Sequence, residues 1–76
     1  NAETSLTVSD GKLMLESVAG LSRVQVFTAA GRLVMQQELV GTHKTVLPTV
    51  SCSNQVLIVR VKLDNGKEAS YKLTVK

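Results

Sequence analysis

The chain has 76 residues, nine Lys and Arg against six Asp and Glu, and two aromatic residues, Phe27 and Tyr71. A chain this short buries about 60% of the surface that it exposes when unfolded, which excludes a large internal cavity. No stretch reaches the ~20 apolar residues of a membrane-spanning helix, and the single cysteine, Cys52, excludes an internal disulfide and a cysteine-based zinc site.

Apolar and polar residues alternate with a period of two along most of the chain, which predicts strands rather than helices. Glycine-bearing turn signals, among them SDGK, VAGLS, AAGR, VGTH and DNGK, separate the alternating segments. We expect seven strands, at residues 4–8, 12–16, 22–28, 32–39, 44–47, 55–64 and 67–75. Spacing of this kind predicts an antiparallel β-sandwich.

The hydrophobic pattern also fixes the register of the last hairpin. If the apolar sets of its two strands face the same way, Val61 lies opposite Ala69 and Val59 opposite Tyr71. That register requires a loop with an odd number of residues. We expect the loop Asp64-Asn65-Gly66, a type I turn closed by a left-handed Gly66 and a G1 bulge.

The segment FTAAGRLV predicts a second tight turn. Thr28 suits the first position of a type I turn and Gly31 suits the fourth. The turn does not require Arg32, so this residue is a candidate for recognition. The alternative is a cross-strand salt bridge through which Arg32 only steadies the corner.

The excess positive charge lies at the C-terminal end. Residues 1–59 carry four basic and four acidic side chains, which cancel. In the predicted register, one face of the last hairpin forms a mostly basic strip that contains Arg60, Lys62, Lys72 and Lys76. Such a strip would attract phosphate, anionic glycolipid or an acidic protein surface, or it is only the solvated face of the hairpin.

The segment QVLIV, residues 55–59, is apolar on both faces because Val56 and Ile58 interrupt the basic strip. Either it is covered within the fold, which we favour, or it is a site of strand-mediated self-association.

No residue pattern supports catalysis, a cofactor or a metal. His43 lies in a glycine-bearing turn without a nearby carboxylate or cysteine, and the neighbours of Cys52 supply no charge that would activate a thiolate. Two aromatic residues are too few for single-stranded nucleic-acid binding. We therefore predict a domain that is not an enzyme, with no cofactor and no nucleic-acid partner.

Three blocks give the chain a resemblance to a known family. GKLMLESVAGLSRVQVFTAAGRLV resembles the opening strands and the valine-x-valine-aromatic corner of that family, matched by Val24, Val26, Phe27, Gly31 and Arg32. QVLIVRV resembles a later strand, and LTVK resembles the lysine-tipped last strand. The family is the type A C-terminal sorting domain of proteins that Bacteroidota export through the type IX secretion system. The chain departs from it at Gln55, Leu57 and Thr28, where the family usually has glycine, tyrosine and aspartate.

The resemblance implies an immunoglobulin-like, seven-stranded antiparallel β-sandwich. Residues 1–76 would form a single sorting domain cut from a longer protein, and it would act as a secretion signal. The outer-membrane translocon would read it after transit through the periplasm. A sortase would then cleave near Asn1, Ala2, Glu3 or Thr4 and join the cargo to anionic lipopolysaccharide, so that the cargo would be at the cell surface or secreted.

We expect the signal to be read at six residues: Gly31, Arg32, Arg60, Lys62, Lys72 and Lys76. The alternative function is an accessory adhesion module of a secreted protein that binds carbohydrate or protein. A carbohydrate-binding module would usually expose aromatic residues for stacking on sugars, and this chain has few.

Overall fold

A computed structural model describes residues 4–48 and 55–75. These residues form five antiparallel strands and no helix, so the all-β prediction is confirmed, and none of them lies in a helix that could span a membrane. The strands are β1 (Thr4–Ser9), β2 (Lys12–Thr28), β3 (Leu33–Pro48), β4 (Gln55–Leu63) and β5 (Glu68–Val75).

The prediction of seven strands is wrong for the described residues, because two turn signals lie inside long strands. VAGLS around Gly20 bends β2, and VGTH around Gly41 bends β3. Four residues of β2, 17–20, lie opposite a single residue of β3, His43. Extra residues in one strand bend it and increase its twist without ending its pairing. A left-handed Gly41, with φ of +63°, accommodates the bend in β3.

The bends curl one sheet around one hydrophobic core. Before its bend, β2 pairs with β1 and with the end of β3, and after its bend it pairs with the start of β3 and with β4, which pairs with β5. Strands that bend in this way carry a sheet around a corner, so both halves turn apolar side chains inward. The buried apolar residues of the described chain are Leu13, Leu15, Leu21, Val24, Val26, Leu47, Leu57, Val59, Val61 and Leu63.

A polar contact joins the two halves of the curled sheet. The hydroxyl groups of Thr4 on β1 and Tyr71 on β5 form a hydrogen bond. Thr4 is only 5% exposed, and burial raises the pKa of the Tyr71 phenol above its ordinary value of 10.0. The neutral phenol is therefore the form that the fold favours.

The hairpin between β4 and β5 has the register that the sequence predicts, with Val61 opposite Ala69 and Val59 opposite Tyr71. Its loop, which we call the Asp-Asn-Gly hairpin (residues 63–67), is also confirmed. The Gly66 amide donates to the Leu63 carbonyl at 3.0 Å, the Leu63 amide donates to the Lys67 carbonyl at 2.9 Å, and Gly66 has φ of +87°. This is a type I turn followed by a G1 bulge.

Strand β4, which contains the QVLIV segment, lies between β2 and β5. Its backbone is therefore paired along both edges, as expected for coverage within the fold. The side chains of Val56 and Ile58 are half-buried on the outer face, by which we mean the face of the sheet turned away from the core. Self-association through β4 would require it to exchange an existing partner strand.

Candidate recognition surface

The first candidate feature is the hairpin between β2 and β3, which we call the Ala-Ala-Gly hairpin (residues 28–32). The Gly31 amide donates to the Thr28 carbonyl at 2.9 Å, and the Thr28 amide donates to the Arg32 carbonyl at 2.8 Å. Gly31 has φ of +90°, a conformation that glycine adopts without strain. The Thr28 hydroxyl accepts a further bond from the Arg32 amide at 3.2 Å. These bonds fix the backbone from which the Arg32 side chain projects.

Arg32 itself is exposed. Its guanidinium makes no ion pair or hydrogen bond with any of the described residues. The described part of the chain therefore provides no acidic partner for the cross-strand salt bridge that the sequence left open. Five N–H donors in a planar fork remain available to an external carboxylate or carbonyl group.

The second candidate feature is the basic strip. Arg60 and Lys62 on β4 alternate with buried residues and are exposed on the outer face. Lys72 on β5 is also exposed, and its pairing with Ile58 places it on the same face. Lys76 lies outside the described residues. The strip is not purely basic, since the Arg60 guanidinium donates to the Glu68 carboxylate at 3.2 Å. Both side chains of that ion pair are 56% exposed, so it contributes at most about 1 kcal/mol.

Strand β2 adds polar residues to this surface. Arg23 pairs with Lys62, and Gln25 pairs with Arg60, so both face outward beside the basic strip. The Arg23 Nε donates to the Glu38 carboxylate of β3 at 2.8 Å, and the Gln25 amide donates to Gln36 at 2.9 Å. Together these residues border a groove of about 180 Å³, which Arg23, Gln25, Arg60, Val61, Lys62 and Glu68 line.

The groove and the Ala-Ala-Gly hairpin lie at different places on the sheet. Gln25, opposite Arg60, is three residues before Thr28, the first residue of the hairpin. Three residues of strand span roughly 10 Å, so Arg32 does not line the groove. Between the two features the outer face is apolar, with Phe27 paired with Ile58 on one side and with Leu33, which is 46% exposed, on the other. Lys72 lies next to this apolar area, opposite Ile58.

Several sequence-predicted positions lie elsewhere. Asn1, Ala2 and Glu3 of the predicted cleavage region, and Cys52, lie outside the described residues. Thr4 is the first residue of β1, where the sequence predicted a strand and also the end of the cleavage region. His43 is exposed in the bend of β3, with Nδ1 3.3 Å from the Ser17 carbonyl oxygen, rather than in a turn between strands.

Sequence reasoning did not identify Arg23 or Gln25. Both alternate with the buried residues Val24 and Val26, so their outward direction was readable from the sequence. Their position beside Arg60 and Lys62 depends on the pairing of β2 with β4, which no local pattern specifies. This pairing converts a strip on one hairpin into a groove with charged residues on three strands.

The fold and this surface define an all-β domain built on one curled antiparallel sheet. The chain belongs to a family of domains of unknown function, DUF8694, whose profile matches residues 1–75. No match was found among curated proteins.

Proposed function

We propose that the chain is a C-terminal secretion signal of the type IX system, which the outer-membrane translocon recognises. The observation that carries the proposal is the Ala-Ala-Gly hairpin, where hydrogen bonds fix the backbone and the exposed Arg32 has no partner among the described residues. A folded corner of this kind presents a planar cationic group in a defined direction. Recognition by a receptor needs no reactive centre.

The blocks that resemble the sorting domains support the proposal by their positions in the sheet. The valine-x-valine-aromatic block ends β2 directly before the hairpin, QVLIVRV forms most of β4, and LTV ends β5. We further propose that the curled sheet corresponds to the immunoglobulin-like sandwich of those domains. If each long strand is divided at its bend, the five strands give seven segments, close to those expected from the sequence.

In the proposed pathway the domain passes through the periplasm and is read by the translocon at Gly31, Arg32 and the basic strip. A sortase then removes it near residues 1–4 and joins the cargo to anionic lipopolysaccharide at the cell surface. The excess positive charge of the chain lies near its C-terminal end. We expect this charge to speed the association of the domain with an anionic partner surface.

The test is to fuse residues 1–76 to a periplasmic reporter in a Bacteroidota host that has the secretion system. We expect the reporter at the cell surface, and we expect deletion of the last few residues to retain it in the periplasm. Arg32→Ala should reduce surface display while the variant domain stays folded, as measured by circular dichroism of the purified domain.

Lys67→Ala is the matched control, because Lys67 follows the glycine of the other three-residue hairpin as Arg32 follows Gly31. It removes the same charge from an equivalent backbone position and should leave export unchanged. A reporter that stays in the periplasm with the intact signal would contradict the proposal. Equal loss in both variants would show that net charge, rather than the Arg32 corner, directs export.

A second candidate function is a protein-binding accessory module, which the charged groove on the outer face favours. A carbohydrate-binding module is less well supported, because Tyr71 points toward the core and leaves Phe27 as the aromatic residue on the outer face. Surface display of the reporter fusion separates the two functions, since an accessory module would not direct export.

A further inference from the structure

We propose that the groove between β2, β4 and β5 binds a carboxylate of an acidic protein segment, and that Arg23, Arg60 and Lys62 are the binding residues. The groove shares Arg60 and Lys62 with the basic strip of the proposed function, but the inference goes beyond that function because it adds Arg23, names the class of ligand and does not include the Ala-Ala-Gly hairpin. It needs no assumption about export.

The first argument is the number of unused donors. Arg23 donates from Nε alone to Glu38, and Arg60 donates from one terminal nitrogen to Glu68. Each guanidinium has five N–H groups, so both retain donors beside the groove. Lys62, between Arg23 and Glu68 in the same cross-strand row, has no hydrogen bond or ion pair with the described residues. The groove therefore holds donors on three cationic side chains and a net positive charge.

The second argument concerns the class of anion. Glu38 and Glu68 already occupy one donor of each arginine, so a doubly charged phosphate would lie close to two carboxylates. A single carboxylate carries less charge and presents two oxygens that match a guanidinium fork. This charge argument favours a carboxylate over inorganic phosphate or a phosphate monoester. The phosphodiester of a lipid or nucleic acid carries a single charge, so the adjoining surface and the titration below must distinguish it from a carboxylate.

The third argument is the apolar surface that adjoins the groove. Phe27 and Ile58 form the next cross-strand row beyond Gln25 and Arg60, about 7 Å along the strands. Protein interfaces combine an apolar area with arginine, whereas a nucleic-acid surface is more uniformly cationic. A segment with a Glu or Asp a few residues from an aliphatic residue would contact the groove and the apolar row together.

The experiment is an NMR titration of the isotopically labelled domain with a capped synthetic peptide of alternating Glu and Val. We expect amide shifts concentrated at residues 23–27, 58–62 and 68. Arg23→Gln and Arg60→Gln should each weaken binding by roughly fivefold to tenfold, since each removes a charge-assisted hydrogen bond. Added salt should weaken binding as well.

Glu68→Gln supplies a variant with the opposite expected effect. It removes the carboxylate that competes for Arg60 and should strengthen binding about twofold to fivefold, by an amount that salt reduces. Lys12→Gln, on the other half of the sheet, is the matched control for net charge and should leave the affinity unchanged. A gain in Glu68→Gln cannot result from misfolding.

Three outcomes would overturn the inference. The first is equal affinity for a control peptide in which every Glu is replaced by Gln. The second is a loss of affinity in Lys12→Gln as large as that in Arg60→Gln. The third is a stronger response to inorganic phosphate or to vesicles of anionic phospholipid than to the acidic peptide. Because binding is measured with the purified domain, failure here leaves the export result intact, and failure of export leaves this result intact.

Discussion

The two three-residue hairpins have nearly the same backbone and very different surroundings. In both, an amide at the glycine closes a type I turn, and the glycines have φ of +90° at Gly31 and +87° at Gly66. The Asp-Asn-Gly hairpin is anchored, because the Asp64 amide donates to the Gly20 carbonyl in the bend of β2 at 2.8 Å. No such bond to another part of the described chain holds the Ala-Ala-Gly hairpin.

The same backbone turn therefore has two different roles in this molecule. The bond at the Asp-Asn-Gly hairpin joins the residue that follows β4 to the bend of β2. The Ala-Ala-Gly hairpin, which has no such bond, fixes the direction of the Arg32 side chain. We expect side-chain changes beside the Asp-Asn-Gly hairpin to alter stability and side-chain changes at Arg32 to alter recognition, whereas the two turn glycines, which share one backbone conformation, should be alike.

The largest expected difference is between the leucines that flank the two loops. Leu63, before the anchored loop, is 3% exposed, and Leu33, after the free loop, is 46% exposed. Leu63→Ala should lower the free energy of unfolding by about 2–5 kcal/mol because it leaves a cavity in the core. Leu33→Ala should cost less than about 1 kcal/mol. Urea unfolding measures both, and equal losses would contradict the comparison.

The two glycines should be equally sensitive. Neither has a neighbouring atom within 4 Å of the position that a Cβ would occupy, so a substitution costs only backbone strain. Gly31→Ala and Gly66→Ala should each cost about 1–2 kcal/mol of unfolding free energy. Asn at either position should cost less, since Asn tolerates a left-handed backbone. A difference of more than about 1 kcal/mol between the two alanine variants would show that surroundings matter here as well.

Gly20 should tolerate substitution only when Asp64 is changed with it. A Cβ at Gly20 would overlap the Asp64 carboxylate, while Gly20 itself has no positive φ. Gly20→Ala should therefore cost about 1 kcal/mol in the native background and close to nothing in an Asp64→Ala background. A double-mutant cycle by urea unfolding measures this coupling. Additive effects would mean that the Asp64 carboxylate does not hinder a Cβ at Gly20.

The bend that receives Asp64 also lies near the contact between β1 and β5, since Thr4 pairs with Ser17. Burial raises the pKa of Tyr71, so the unfolded chain loses its phenol proton at a lower pH than the folded chain does. The stability from this group is complete below pH 10 and is lost as the pH rises through the pKa of the folded state. Unfolding free energy should therefore fall more steeply above pH 10 in the native chain than in Tyr71→Phe. Parallel curves would contradict this assignment.

The sequence predicts those parts of the fold and the site that depend on residues close together in the chain, and it does not predict those that depend on the pairing of distant strands. The register and loop of the Asp-Asn-Gly hairpin followed from alternation and turn residues close together in the chain. The bends at Gly20 and Gly41 were not distinguishable from turns, because the pairing of Leu21 with Thr42 and Leu63 decides that β2 continues. The basic strip on one hairpin was likewise predictable, and the addition of Arg23 from a distant strand was not.

Arg32→Ala should have the smallest effect on stability. Comparing it with Arg23→Ala distinguishes an arginine without an ion pair among the described residues from one that has an ion pair. Arg32 has no ion pair among the described residues, so its removal should change the unfolding free energy by no more than about 0.5 kcal/mol at any salt concentration. Arg23 pairs with Glu38 at 2.8 Å, so Arg23→Ala should cost up to about 1 kcal/mol, and salt should reduce that cost. Urea unfolding at low and high salt measures both. A salt-dependent loss of unfolding free energy in Arg32→Ala would reveal an acidic partner for Arg32. The role of Arg32 would then be structural, because a guanidinium that is already paired within the fold has fewer donors available to a receptor.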